Sequence, residues 1–152
     1  MSTLSPHLDK TQLLTAATFC TCMNVRKASR VITQLYDEAL QPSGLLVSQF
    51  NLLVALAFAG SMTMTRLAEV LVMDRTTLTR NLKPLERDGL VQIQPGQDQR
   101  TRVVNLTQTG RAALATALPL WEKVQASVVE RLGQEQWSLL LQSLSQVVSL
   151  DP

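Results

Sequence analysis

Hydroxyl and basic side chains share one face of the segment at residues 74–88, which reads DRTTLTRNLKPLERD. If this segment is helical, Leu78, Leu82 and Leu85 form one stripe and the polar side chains form the opposite one. Short hydroxyls let a helix approach a DNA groove closely, while arginine and lysine reach guanine edges or phosphates. Taken alone, the pattern favours an ordinary solvent-exposed helix face over a helix that contacts duplex DNA, because any surface helix carries similar residues. The candidate DNA-contacting side chains here are Arg75, Thr76, Thr77, Thr79, Arg80, Lys83 and Arg87.

Two β-prone segments follow, at residues 90–94 and 102–106, and the turn-forming sequence PGQDQ separates them. This arrangement predicts a hairpin. Arg100 and Arg102 would point to the same side of an extended strand, and Asp98 would hold Arg100 in place through an ion pair. An arginine on a protruding ribbon suits a narrow, negative minor groove. A solvated turn could carry the same residues, but the preceding helix-turn-helix pattern favours DNA contact.

Helical segments surround this stretch. From residue 13 to residue 40 there is no glycine or proline, and apolar residues recur in steps of three and four. This spacing predicts one long amphipathic helix, too long to be used fully within one small domain, so part of it should meet a partner subunit. Other helices are predicted at residues 48–59, after the cap Thr63, at 74–88, after the cap Thr107 and at 134–150. Ser48 and Asp74 are predicted N-caps.

The predicted fold class is mainly α with a small β-hairpin wing, in a single domain at residues 1–152. A winged helix-turn-helix core at about residues 48–107 would lie between dimerisation helices at about 10–40 and 108–150. Pro84 and Pro119 should bend the helices that contain them, because proline removes one backbone hydrogen bond.

Composition excludes several functional classes. The net charge of +2 alone gives no indication of nucleic acid binding, but seven of the 14 lysines and arginines lie between residues 61 and 107. We find no paired carboxylates in a cleft, no histidine-based triad, no glycine-rich phosphate loop and no metal-ligand cluster, so neither an enzyme nor a cofactor is predicted. His7, the single histidine, supports no metal site. Without a leader-like start or a long apolar run, the chain is expected to be cytoplasmic, with no membrane partner.

Two longer motifs resemble the MarR (multiple antibiotic resistance regulator) family of winged-helix transcription factors. They are MTRLAEVLVMDRTTLTRNLKPLERDGLV at residues 64–91 and DQRTRVVNLTQTG at residues 98–110, which is similar to the family's D-x-R wing ending in L-T-x-x-G. The resemblance implies a homodimer that binds double-stranded DNA at a pseudo-palindromic operator, most simply as a repressor that a small ligand or cysteine oxidation releases. On the recognition helix it places Thr76, Thr77, Thr79, Arg80 and Lys83, and on the wing Arg100. It implies a dimer interface built by the start of the first helix and by the last two helices. The alternative is a winged-helix protein-interaction module without sequence-specific DNA binding.

The long first helix carries the candidate effector site. Residues two apart on a helix point about 200° from each other, so Cys20 and Cys22 should not bond or chelate together, and both could simply be small buried side chains. The segment from Cys22 to Arg30, together with Tyr36, also resembles the organic-hydroperoxide-sensing branch of the family, in which a cysteine near this position is oxidised. Arg26, one turn after Cys22, would favour its thiolate form. Arg26 and Arg30 could alternatively bind an aromatic carboxylate or phenolate, in a pocket that the resemblance places near Tyr36 and Phe50.

Overall fold

The computed structural model describes residues 8–150, so His7 lies outside the described residues. Helices dominate, and three short strands form one sheet within this range. In chain order the elements are α1 (Lys10–Phe19), α2 (Thr21–Leu40), a 3-10 turn (Gln41–Ser43), α3 (Val47–Ala59), β1 (Met62–Thr63), α4 (Met64–Val70), α5 (Arg75–Arg87), β2 (Val91–Pro95), β3 (Arg102–Leu106), α6 (Gln108–Leu132) and α7 (Gln134–Val148). The predicted fold class, a mainly helical chain with a small hairpin wing, is confirmed.

The described residues divide into two compact units, at residues 8–35 and 36–150. The first unit holds α1 and most of α2, and each residue from 8 to 34 is exposed. The predicted unbroken helix at 13–40 is wrong at Cys20, where the backbone is extended, with φ −63° and ψ 108°. Asn24 explains the break, because its side-chain amide donates to the carbonyls of Thr18 and Cys20, both at 3.0 Å. An asparagine side chain that bonds backbone groups in this way competes with the helix.

The core of the second unit forms around α3, α5 and the sheet. Leu78, Leu82 and Leu85 of α5 are all buried, which confirms the apolar stripe expected from their spacing. They share one hydrophobic cluster with the leucines of α3 and with Val104 of β3. Burial of this stripe fixes the orientation of α5, so the opposite stripe of the helix faces solvent.

Helix α3 begins one residue before the predicted cap. Its N-cap is Leu46 and not Ser48, and Leu46 offers no side-chain acceptor. Two other side chains satisfy the first backbone N–H groups instead: the Leu46 N–H donates to Gln49 Oε1 at 2.9 Å, and the Val47 N–H donates to Asp37 Oδ1 at 2.7 Å. The N-caps predicted at Thr63, Asp74 and Thr107 are confirmed, since each side chain accepts a backbone N–H.

The sheet has the order β1-β3-β2 and is antiparallel throughout. The predicted hairpin is present as β2 and β3, while β1, which pairs Met62 with Val104, was not expected from sequence. Gly110 lets α6 pass close to the sheet, because a Cβ at this position would lie 2.1 Å from the backbone oxygen of Leu90. The close contact fixes the start of α6 against the base of the wing.

Two prolines lie inside continuous helices. Pro84 lies within α5 and Pro119 within α6, and neither helix is interrupted at these positions. Neither proline can donate a backbone hydrogen bond, so each helix lacks one bond of its ladder. The bends expected from sequence stay predictions.

The turn between α4 and α5 contains a strained residue. Val72 has φ +51°, a left-handed conformation that a β-branched side chain rarely adopts. The turn is closed by hydrogen bonds from the Val72 N–H to the Glu69 carbonyl and from the Met73 N–H to the Ala68 carbonyl, at 3.1 and 2.9 Å. These bonds form the helix-ending pattern that normally takes glycine at this position.

Candidate nucleic-acid interface

Helix α5 is anchored at its N-terminus by Asp74. Asp74 Oδ1 accepts the backbone N–H of Thr77 at 2.9 Å, and Oδ2 accepts the Thr77 hydroxyl at 2.6 Å. The hydrogen bonds from Thr77 hold the pKa of the Asp74 carboxyl below its usual value. The Thr77 hydroxyl, predicted from sequence as a DNA contact, is therefore used to hold the cap of the helix.

A shallow groove runs along the solvent-facing stripe of α5. Five side chains line it, and three of them are cationic. They are Arg75, Thr76, Thr79, Arg80 and Lys83. The structure thus brings five of the seven helix residues predicted from sequence onto one exposed surface, opposite the buried leucines.

The hydroxyls of Thr76 and Thr79 have different partners. Thr79 Oγ1 donates to the carbonyl oxygen of Arg75, one turn earlier, at 2.8 Å. Among residues 8–150, no hydrogen-bond partner is found for the Thr76 hydroxyl. Thr76 can therefore donate to an external group, while the hydroxyl proton of Thr79 is already used.

Arg87, predicted to contact DNA, is paired within the chain. Its Nε donates to Asp88 Oδ1 at 2.8 Å, and Nη2 donates to Oδ2 at 3.3 Å. The hydrogen bond from Arg87 lowers the pKa of Asp88, and the same bond raises the pKa of Arg87. Because the two side chains are 74% and 52% exposed, the pair is screened by water and stabilises the fold little.

The tip of the wing differs from the prediction in two ways. Asp98 Oδ1 accepts the backbone N–H of Arg100 at 3.0 Å, and among residues 8–150 Asp98 makes no ion pair with the Arg100 guanidinium, so the expected pair is wrong. Arg100 lies in the turn before β3, whose first residue is Arg102, so strand alternation does not relate the two side chains. Thr101 completes the turn by donating its N–H and its hydroxyl to the Asp98 carbonyl. Both arginines are exposed on this folded turn.

The N-terminal unit has a groove of its own. Its lining contains both cysteines, one methionine and three cationic side chains: Cys20, Cys22, Met23, Arg26, Lys27 and Arg30. Both thiols are free and exposed in the single chain, so the alternative that they are buried side chains is not supported. Since Cys20 is extended, the helical geometry that was expected to separate the two thiols also no longer applies. Lys27 was missed in the sequence, although it lies three residues before Arg30 and thus on the same side of the helix.

Tyr36 is described within the second unit. Its hydroxyl donates to Gln125 Oε1 of α6 at 2.6 Å, and burial raises its pKa. Phe50 is buried and stacks on Trp121, with ring centroids 6.0 Å apart. These contacts give both aromatic side chains a structural role between α2, α3 and α6 in this unit.

Within residues 8–150, no group of three or more His, Cys, Asp or Glu side chains is placed to hold a metal ion. No single helix in that range is long and apolar enough to cross a membrane, although the bent pair of α2 and α3 reaches that length and composition together.

The proteins that this chain is similar to, in sequence and in structure, are transcriptional regulators. A model of the MarR family matches residues 43–100. The uncharacterized HTH-type transcriptional regulator YwoH of Bacillus subtilis is 36% identical over 84 residues, which cover 55% of this chain and 61% of that protein. The chain therefore spans about three fifths of that relative in the matched region.

Solved structures extend the similarity to nearly the whole described chain. The transcriptional regulator MosR of M. tuberculosis, solved in complex with DNA, is 41% identical with a TM-score of 0.73, and the match covers 86% of this chain and 99% of that one. A mutant of MarR from E. coli, solved in complex with operator DNA, is 25% identical with a TM-score of 0.78, and the match covers 88% and 97%.

Proposed function

This chain belongs to the MarR family of transcriptional regulators, and from that membership we propose that it is a sequence-specific DNA-binding repressor that works as a homodimer in the cytoplasm. It acts by binding and not by catalysis. Helix α5 enters the major groove, and the wing between β2 and β3 meets the adjacent minor groove. The observation that carries the proposal is the groove on α5, where three cations and two threonines face solvent opposite a buried leucine stripe.

The α5 groove and the wing both carry positive charges, which suit a nucleic acid. Arg75, Arg80 and Lys83 line the α5 groove, and Arg100 and Arg102 are exposed on the wing. Cations meet phosphates in any sequence, whereas arginine and hydroxyl groups also recognise base edges in the major groove. The relatives MosR and MarR, each solved with DNA, support the same assignment.

The two ends of the chain support the homodimer. In α7 no residue is buried, and its exposed leucines include Leu140, Leu141 and Leu144. In the N-terminal unit, α1 likewise buries no residue and exposes Leu13, Leu14 and Phe19 among others. Apolar surface on this scale is typical of surfaces that another subunit covers. A second copy would place two α5 helices on successive major grooves of a pseudo-palindromic site.

Selection of bound duplexes from a random DNA pool tests the proposal against a protein-interaction module. A repressor should enrich a pseudo-palindromic sequence, and its affinity should fall steeply with added salt because phosphate contacts release counterions. Enrichment of no sequence, with no salt-sensitive binding to duplex DNA, would favour the interaction module instead.

We further propose that the groove of the N-terminal unit controls the release of DNA. In the oxidative form of this proposal, the Cys22 thiolate attacks one oxygen of a peroxide. The S–O bond forms as the O–O bond breaks, the sulfur loses two electrons, and the departing alkoxide or hydroxide takes up a proton. The cationic side chains of Arg26, Lys27 and Arg30 line the same groove as Cys22.

In the ligand form of this proposal, those cations bind an aromatic carboxylate or phenolate. Such a ligand acts only if its affinity differs between the DNA-binding and the non-binding conformation. The groove alone is compatible with both forms of release, and the effect of each reagent on variants of its lining separates them.

The experiment measures release of the selected duplex by tert-butyl hydroperoxide and, separately, by benzoate. Under the oxidative form, peroxide releases the wild-type protein and Cys22→Ser abolishes that release, while Cys20→Ser shows whether the second thiol takes part. Under the ligand form, benzoate releases the protein and Arg26→Ala together with Arg30→Ala abolishes the effect. Unchanged peroxide release in Cys22→Ser would exclude the oxidative form.

A further inference from the structure

Two threonines on α5 line the same groove but offer different groups to a ligand. Thr79 Oγ1 lies 2.8 Å from the Arg75 carbonyl oxygen and donates its proton to it. Thr76 is exposed, and no partner for its hydroxyl is found within residues 8–150. The two residues are three positions apart and thus neighbours on one helix face.

The hydrogen bond of Thr79 decides which of its groups can meet DNA. A hydroxyl has one proton, so Thr79 cannot donate to a base while that proton is held by Arg75. The bond also holds Oγ1 towards the preceding turn of the helix, so Thr79 can offer a base its methyl group or an accepting oxygen, but no proton. In the major groove, the matching apolar group is the C5 methyl of thymine.

We propose that Thr79 determines sequence specificity by packing its methyl group against the C5 methyl of a thymine, while Thr76 acts through its free hydroxyl. This inference rests on the proposed DNA binding and names the base that one position of α5 selects. Arg80 and Lys83, which line the same groove, supply the phosphate or guanine contacts that bring the helix close enough for a methyl contact.

Paired substitutions separate a methyl contact from a hydroxyl contact. Valine keeps a methyl group and removes the hydroxyl, whereas serine keeps the hydroxyl and removes the methyl. On the duplex selected by the wild-type protein, Thr79→Val should retain affinity, and Thr79→Ser should bind about fourfold more weakly per half-site, which is the effect of one buried methyl group. The matched pair at Thr76 should show the reverse order, with Thr76→Ser retaining affinity and Thr76→Val losing it.

Replacing thymine by deoxyuridine removes the same contact from the DNA side. In the selected duplex, one thymine per half-site should be sensitive: its replacement by deoxyuridine should weaken wild-type and Thr79→Val binding by about fourfold per half-site. Thr79→Ser should bind the thymine and deoxyuridine duplexes equally, because its methyl is already absent. Circular dichroism confirms that each variant is folded.

Three results would overturn the inference: weaker binding by Thr79→Val than by Thr79→Ser, no thymine position sensitive to deoxyuridine, or unchanged deoxyuridine sensitivity in Thr79→Ser. A different result would overturn the proposed DNA binding itself. In that case the wild-type protein would select no duplex and would show no salt-sensitive binding to DNA.

Discussion

The cationic side chains of α5 differ in whether they have a partner within the chain. Among the described residues, Arg80 and Lys83 make no ion pair within the chain, whereas Arg87 is tied to Asp88 by two hydrogen bonds. A guanidinium can bind a guanine edge with two hydrogen bonds, but an ammonium acts as a point charge. These differences predict separate effects for the three side chains.

Arg80→Ala should weaken binding to the selected duplex by about 1–3 kcal/mol and relax the preference at one base pair, if Arg80 contacts a base. Lys83→Ala should instead weaken binding to every sequence alike and reduce the salt dependence by about 0.9 per phosphate lost. Arg87→Ala serves as the control and should have the smallest effect, because its guanidinium already has a partner. Titrations of matched duplexes at several salt concentrations measure all three.

An equal loss on all sequences for Arg80→Ala would reassign Arg80 to a phosphate contact. A loss for Arg87→Ala as large as that for Lys83→Ala would mean that the Arg87–Asp88 pair opens when DNA binds.

At the scale of elements, the Asp74 cap should make the stability of α5 sensitive to acid. Hydrogen bonds from Thr77 lower the pKa of Asp74 in the folded chain. The cap therefore contributes stability above the unfolded pKa of about 3.9, and this contribution is lost as the pH falls through the lower folded value.

Thermal unfolding measured from neutral to acidic pH, for the wild type and for Asp74→Asn, checks this prediction. Asparagine caps a helix without titrating. The difference in melting temperature between the two proteins should thus change below about pH 4, in the direction that destabilises the wild type. Parallel curves throughout the acidic range would contradict a role for the ionised cap.

Val72 predicts an unusual stabilising substitution in the turn between α4 and α5. Its φ of +51° is unfavourable for valine and comfortable for glycine, and the side chain is 70% exposed, so little burial is lost on its removal. Val72→Gly should raise the free energy of unfolding by about 1 kcal/mol. Val70→Gly, within α4, is the matched control and should lower it by about the same amount. A loss of stability in Val72→Gly would show that the valine packs favourably despite its conformation.

The sequence was sufficient to predict those helices and caps that depend on residues close together in the chain. The leucine stripe of α5 and the caps at Thr63, Asp74 and Thr107 follow from spacing and from short-range hydrogen bonds. Non-local contacts were not predictable in this way. Strand β1 has only two residues and exists because it pairs with β3, about 40 residues later in the chain.

The site was predictable in its residue types but less so in its internal bonding. Five of the predicted α5 residues line one groove. The Arg87–Asp88 pair and the backbone bond of Asp98 depend on side-chain conformation, which spacing does not determine. The break at Cys20 was missed because neither glycine nor proline marks it in the sequence. It depends instead on the side chain of Asn24, which bonds the backbone carbonyls of Thr18 and Cys20.

At the scale of the whole molecule, the proposed dimer should depend on the apolar face of α7. Leu140 and Leu144 are spaced one turn apart and are 42% and 40% exposed in the single chain. Replacing both with glutamate should produce a monomer, because burying two carboxylates in an apolar interface is strongly unfavourable. Analytical ultracentrifugation measures the mass, and Gln142→Glu on the same helix is the control that should remain dimeric.

The monomeric variant should also lose most of its affinity for a two-half-site duplex, because each half-site then binds separately. A double variant that stays dimeric would place the interface elsewhere on the chain.

In the proposed complex, α5 and the wing bind a specific duplex through paired copies of this chain. The most direct test is the affinity of the wild-type protein for its selected duplex as a function of salt, beside a scrambled duplex of equal length. If three cations per protomer meet phosphates, the logarithm of affinity should fall against the logarithm of salt with a slope of about −5, and the selected duplex should bind at least about 1,000-fold more tightly than the scrambled one. A slope near zero, or equal affinity for the two duplexes, would show that the protein does not bind a specific DNA sequence through these cations.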